Sequence, residues 1–197
     1  MVELTSPGLE DGMIKLEPLH EAHREPLRES GAVEFMWASM PAIRRGAGFD
    51  VYFAHMLKQA ATGETAPFAL VDPRGNDRFV GVTAFIAPDK THRRVSIGYT
   101  WLDPMLRGAG VYKSIQRLML ERAIEWGARR ISWSIESQNE RGLNAIRGLG
   151  AVEEGTLRSY ERFADGQWMD ITILSMLRDE AKKAVEILSR DVAAKLA

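Results

Sequence analysis

Hydrophobic and polar residues alternate from Val95 to Trp101, with Val95, Ile97, Tyr99 and Trp101 set against Ser96, Gly98 and Thr100. That period of two is the pattern of a half-buried strand. Asp103-Pro104 ends it, because proline cannot donate to a strand ladder. Glycine then crowds the run Arg107-Gly108-Ala109-Gly110, where a backbone must turn sharply or approach a ligand closely. From Val111 the period changes: Val111, Ile115, Leu118, Met119, Ala123 and Trp126 share the spacing of one buried helix face. Gly127 is placed to end that helix.

The remaining pattern frames this strand, turn and helix. Met1 to Gly12 reads as a loose start, and Met13 to Leu19 as a first strand. His20 to Ser30 is charged and helical, with Pro26 as a kink or an end. Gly31 to Gly48 is irregular but carries Phe35, Met36, Trp37 and Met40, either a small core under a loop or the wall of a substrate site. Phe49 to Ala61 reads as a helix. Pro67 to Val71 and Phe79 to Ile86 are β-prone runs around the turn residues Asp72 to Asp77, hence a hairpin. Ile131 to Glu136 alternates cleanly, and with the Val95 strand and the intervening helix it forms a β-α-β unit, so the two strands should be parallel. Asn139 to Leu149 is a short helix closed by Gly150. Val152 to Phe163 and Trp168 to Leu177 make a final hairpin around Ala164-Asp165-Gly166. Asp179 to Ala197 is amphipathic, with Ala181, Val185, Leu188, Val192 and Leu196 on one face.

Composition narrows the function. Among 197 residues the formal charge is −1, so no basic field attracts nucleic acid. Cysteine is absent, which excludes disulfides, thiolate metal sites and a cysteine nucleophile, and permits a reducing cytoplasm. No signal-peptide pattern opens the chain and no apolar run is long enough for a membrane span, so neither secretion nor a membrane is expected. The start of the helix at Val111 offers unpaired N–H groups and a positive dipole end. With Gly108 and Gly110 giving access, and Arg107 and Lys113 adding charge, it can hold a phosphate.

Further motifs follow in order: Asn139, Gly142 and Gly150-Ala151; then Glu154-Gly155-Thr156-Leu157-Arg158; then Asp165-Gly166 through Asp170. With Arg107, Gly110 and Tyr112, this series resembles the GCN5-related N-acetyltransferases (GNAT), in their RimJ/RimL-like branch, which acetylates ribosomal-protein N-termini. The resemblance is strongest from Phe79 to Leu177. It implies an α+β (mixed α/β) domain over residues 1–178, with a mostly antiparallel sheet of about seven strands and a splayed parallel pair. Residues 179–197 form a C-terminal helix packed on that domain or on a second subunit, so a homo-oligomer is compatible with the sequence.

The resemblance also implies a reaction: acetyl-CoA donates its acyl group to a primary amine, a small molecule or a peptide, by direct attack in a ternary complex without a metal. Coenzyme A would lie along Trp101, Leu102 and the run Arg107, Gly108, Ala109, Gly110, Val111, Tyr112, Lys113 and Ser114, with Asn139 as either a further contact or the N-cap of the helix after it. A backbone N–H near Trp101 or Leu102 would stabilise the oxyanion. Trp37 and Met40 would line the acceptor side. Glu154 is the carboxylate candidate for the acceptor side, with Glu136 and His92 behind it. Ile146 stands where many relatives carry a thiolate-protonating tyrosine, which leaves a solvent proton, Ser137 or Tyr160 to serve the leaving group. A non-catalytic acyl-CoA sensor of the same fold is the alternative.

Overall fold

The computed structural model describes residues 2–30, 49–106, 108, 110–162 and 166–196. Eight strands form one sheet: β1 (Leu9–Glu10), β2 (Lys15–Pro18), β3 (Thr65–Asp72), β4 (Arg78–Asp89), β5 (Arg94–Leu102), β6 (Arg130–Glu136), β7 (Val152–Arg162) and β8 (Trp168–Leu177). Their spatial order is β1-β2-β3-β4-β5-β6-β8-β7. Every neighbouring pair is antiparallel except β5 and β6. The helices among the described residues are α1 (Arg24–Glu29), α2 (Phe49–Thr62), α3 (Val111–Trp126), α4 (Glu140–Arg147) and α5 (Arg178–Leu196). None is long and apolar enough to cross a membrane.

The sheet carries a core on each face. On one face Val95, Ile97 and Leu102 meet Ile115, Leu118 and Met119 of α3, Leu143 and Ile146 of α4, and Ala181 and Leu188 of α5. On the other, Trp101, Val82 and Ala69 pack under Leu27 of α1 and Phe49, Tyr52 and Phe53 of α2. β3 is buried along its whole length because both cores cover it, which explains its unbroken apolar run.

The expected loose start is corrected here. Leu9–Glu10 pairs with Lys15–Leu16, and the turn between them closes when the Asp11 carboxylate accepts the N–H groups of Met13 at 2.8 Å and Ile14 at 3.0 Å. Two arginines of α3 grip this segment. Arg117 donates to Asp11 at 2.8 Å, and Arg122 donates to the carbonyls of Leu4, Ser6 and Pro7. The alternation along β5 is also corrected. Gly98 pairs with Ala84 and Trp101 with Val82, so Tyr99 and Thr100 stand opposite Thr83 alone. This bulge, with Tyr99 at φ +51°, shifts the side-chain parity by one residue. Trp101 therefore lies in the second core, Leu102 in the first, and Tyr99 in neither.

Candidate functional site

β5 and β6 pair only at Arg94↔Arg130, Val95↔Ile131 and Ser96↔Ser132. A hydroxyl contact of 2.8 Å between Ser96 and Ser132 marks the last rung. Beyond it β5 runs on to Leu102 and β6 to Glu136 with no ladder between them, so the sheet opens into a split. The Asp103 N–H donates to the Val80 carbonyl at 2.8 Å. N–H groups alternate sides along a strand, so the Leu102 N–H points away from β4, toward the split, and the Trp101 N–H does not.

The glycine turn stands at the open end of β5. Gly110 caps α3 at φ +88° and supplies no side-chain cap, a conformation that costs any L-residue with a Cβ. The first helical bond runs from the Ser114 N–H to the Gly110 carbonyl at 3.2 Å, which leaves the N–H groups of Val111, Tyr112 and Lys113 without an intrahelical acceptor. A Cβ at Gly108 would meet nothing within 4 Å. The backbone is therefore open to a phosphate. A cleft of about 470 Å³ lies here, lined by Gly108, Gly110, Tyr112 and Lys113 on one wall and by the last turns of α5 on the other. Burial pushes the Tyr112 hydroxyl up to about 12, opposed by the charge of Arg141 in the first turn of α4. The Tyr112 ring packs on the first core from the cleft wall.

Several residues expected at the cofactor do other work. Ser114 is buried and its hydroxyl donates to Asp11, so it faces the N-terminal turn rather than the cleft. The Val111 side chain is in the core, leaving only its backbone for a ligand. Asn139 caps α4, its Oδ1 accepting the Gly142 N–H at 3.0 Å. Arg107, Ala109, Trp37 and Met40 lie outside the described residues.

The carboxylates sort by position. Glu154 takes the Arg130 guanidinium, at 2.5 Å for Nη1, and the Ser175 hydroxyl at 2.7 Å. Arg130 pairs with Arg94 at the closed end of the split, about 16 Å of strand from Ile135. Hydrogen bonds from Arg130 and Ser175 hold the Glu154 carboxyl at about 2. The structure thus separates Glu154 from the open end and makes it a weak proton acceptor. Ser137 closes β6, with its hydroxyl 2.9 Å from that of Thr172. Tyr160 is exposed on β7. Ile146 is core.

Glu161 is the carboxylate the sequence did not single out. It sits opposite Met169 of β8, and directly opposed residues share a face. That face is the one away from Leu174, which lies under the helices α3 to α5. Burial raises the Glu161 carboxyl above the ordinary value of 4.5, and no ion pair or hydrogen bond among the described residues relieves it. Its charge in turn acts with burial to raise the Tyr99 hydroxyl, and Tyr99 acts on Tyr52 of α2. Glu161, Tyr99 and Tyr52 therefore gather beside the β5 bulge. No motif marks Glu161; only the fold of β7 brings it there.

Glu17, His20 and His23 place ligand atoms within 4.8 Å of one another. However, His20 Nδ1 accepts the Ala22 N–H and His23 Nδ1 accepts the His20 N–H. Neutral rings so bonded carry their proton on Nε2, the nitrogen a metal would need.

Residues 14–152 match the sequence profile of the acetyltransferase (GNAT) domain. The chain is 27% identical over 119 residues to an uncharacterized N-acetyltransferase, p20, of Bacillus licheniformis, a match that spans 60% of this chain and 65% of that relative. RimJ of Mycobacterium smegmatis in complex with CoA-disulfide superposes with a TM-score of 0.74 at 19% identity, over 92% of this chain and 88% of that one. A spermidine N-acetyltransferase from Vibrio cholerae in complex with CoA and spermine gives 0.72 at 16% identity, over 87% and 99%. At these identities both share the fold.

Proposed function

Since the chain belongs to the acetyltransferase (GNAT) domain family, we propose that it transfers an acetyl group from acetyl-CoA to a primary amine by direct attack in a ternary complex. The observation that carries this is the split beyond Ser96 and Ser132, which ends beside a glycine turn that opens a helix with no side-chain cap. CoA phosphates bind the N–H groups of Val111, Tyr112 and Lys113. The pantetheine arm enters the split from the α3 and α4 side, and the Leu102 N–H meets the thioester oxygen, where negative charge develops.

The amine approaches from the α2 side. Glu161 takes its proton, directly or through one water, since a carboxylate raised by burial is a better base than a free one. The nitrogen lone pair attacks the carbonyl carbon, an N–C bond forms, the C–S bond breaks, and the nitrogen gives its second proton to solvent to leave a neutral amide. CoA leaves as thiolate and takes a proton from solvent, as the Ile146 side chain offers none. With no cysteine in the chain and no G-x-S-x-G elbow, an acyl-enzyme has no activated carrier.

The RimJ/RimL-like motifs Glu154-Gly155-Thr156-Leu157-Arg158 and Asp165 to Asp170 favour a peptide N-terminus as acceptor, with small amines such as polyamines next. A cytoplasmic location accords with a cysteine-free sequence. Mass spectrometry of products formed from acetyl-CoA and a mixed pool of peptides and amines tests the proposal. An acetylated amine with free CoA is expected; CoA binding without any acylated product would leave only the sensor.

A further inference from the structure

The C-terminal helix reaches the glycine turn. Val192 and Leu188 anchor its last turns in the first core, and the next exposed positions face the cleft. Asp191 Oδ2 lies 2.5 Å from Lys113 Nζ. Lys195, one helical turn further on, comes so close that a Cβ at Gly110 would stand 3.5 Å from its Cγ. No ion pair or side-chain hydrogen bond among the described residues involves the Lys195 ammonium. Asp191, Val192, Ala194 and Lys195 make one wall of the cleft, and Gly108, Gly110, Tyr112 and Lys113 the other.

Lys113 and Lys195 thus flank backbone N–H groups of the first helical turn, and among the described residues lining the cleft the one carboxylate, Asp191, occupies Lys113. An exposed pair such as Lys113–Asp191 is weak in water. The pyrophosphate of CoA as a whole, like its 3′-phosphate, carries about two negative charges to the one of a carboxylate, and can bridge both lysines and the N–H groups at once. Resting on the acetyl-CoA reading above, we propose that the last turn of α5 is the second wall of the phosphate site. Lys195 contributes a positive charge to the phosphates of CoA. Asp191 holds Lys113 at the turn until those phosphates displace it.

Isothermal titration of the full chain with CoA and with dephospho-CoA tests this, using Lys195→Ala, Lys195→Glu, Asp191→Asn and, as a reference, Gly110→Glu, with melting temperatures to confirm folding. Lys195→Ala should weaken CoA about threefold and Lys195→Glu about tenfold, the size of one lost and one reversed exposed charge. Asp191→Asn should tighten CoA about twofold by releasing Lys113. A Lys195→Glu penalty that persists with dephospho-CoA assigns Lys195 to the pyrophosphate; one that vanishes assigns it to the 3′-phosphate. Unchanged CoA affinity in Lys195→Glu, with Gly110→Glu still impaired, overturns the second wall and leaves the CoA site standing. Weaker binding in Asp191→Asn overturns the displacement. If the wild-type chain binds no CoA, the reading of the site itself fails.

Discussion

The Asp170 carboxylate accepts the Ser159 N–H at 2.7 Å, and the bond sits at the centre of a bulge in β7. Leu157 pairs with Ile171 and Glu161 with Met169, so Arg158, Ser159 and Tyr160 stand opposite Asp170 alone. Ser159 holds φ at +49°, a strained conformation for a residue with a Cβ. Asp170 compensates by satisfying an N–H that the ladder cannot reach. Replacing Asp170 by Ala frees the bulge and lets Glu161 drift from Tyr99. We expect kcat to fall about tenfold with CoA affinity unchanged, as read by initial rates and titration. Equal losses in both would mean that the whole hairpin has moved.

Glu161→Gln keeps shape and removes the proton acceptor. Loss of general base catalysis should lower kcat by about 100-fold or more, with CoA affinity intact. The pH profile gives a second readout. Burial raises the Glu161 carboxyl, and only its ionised form accepts a proton. The wild-type kcat/KM should therefore rise with pH through a value above 4.5, and Glu161→Gln should lack that limb. Retention of the limb in the variant assigns it to another group.

Glu154→Gln should behave in the opposite way. Glu154 is tied to Arg130 at the closed end of the split, so kcat should stay within about twofold while stability drops by about 0.5–1 kcal/mol, the scale of an exposed ion pair. The folded carboxyl is lowered from 4.5 to about 2. Its stabilisation is present above 4.5 and is lost as pH falls toward 2. The difference between wild type and variant in denaturant melts should shrink over that interval. A large kcat loss with normal stability would return Glu154 to the chemistry.

Leu188 is 3% exposed at the seam between α5 and the first core. Leu188→Ala should cost about 2–5 kcal/mol, from lost transfer energy plus the cavity left behind. Thermal melts will show whether the terminal helix unfolds with the domain. A melting temperature within a degree or so of wild type would mean that α5 contributes little to the domain.

Period and punctuation carried most of the architecture. The switch from alternation at Val95–Ile97 to the 3.6-residue stripe of Val111 to Trp126 located β5 and α3, because each geometry exposes one face to a core. Asp72 to Asp77 located a hairpin, and Gly127 a helix end at φ +99°, because turn residues act on their own backbone. The glycine turn was visible for the same reason: Gly108 and Gly110 hold positive φ locally.

What escaped the sequence depends on residues far apart in it. The two-residue strand Leu9–Glu10 exists because Arg117 and Arg122, in the middle of α3, spend their charge on Asp11 and the carbonyls near it, while the pattern of α3 alone would leave both arginines to solvent. One extra residue in β5, held against Thr83, moved Trp101 to the other core and turned the Leu102 N–H toward the split. Glu154 sat in a recognisable motif, but Arg130, 24 residues away in the chain, took its carboxylate. Glu161 sat in none, yet a bulge held by Asp170 brought it beside Tyr99. Local rules set the elements, because helix and strand periods are properties of neighbouring residues. Pairing register and ion-pair choice set the site, because they are decided between elements.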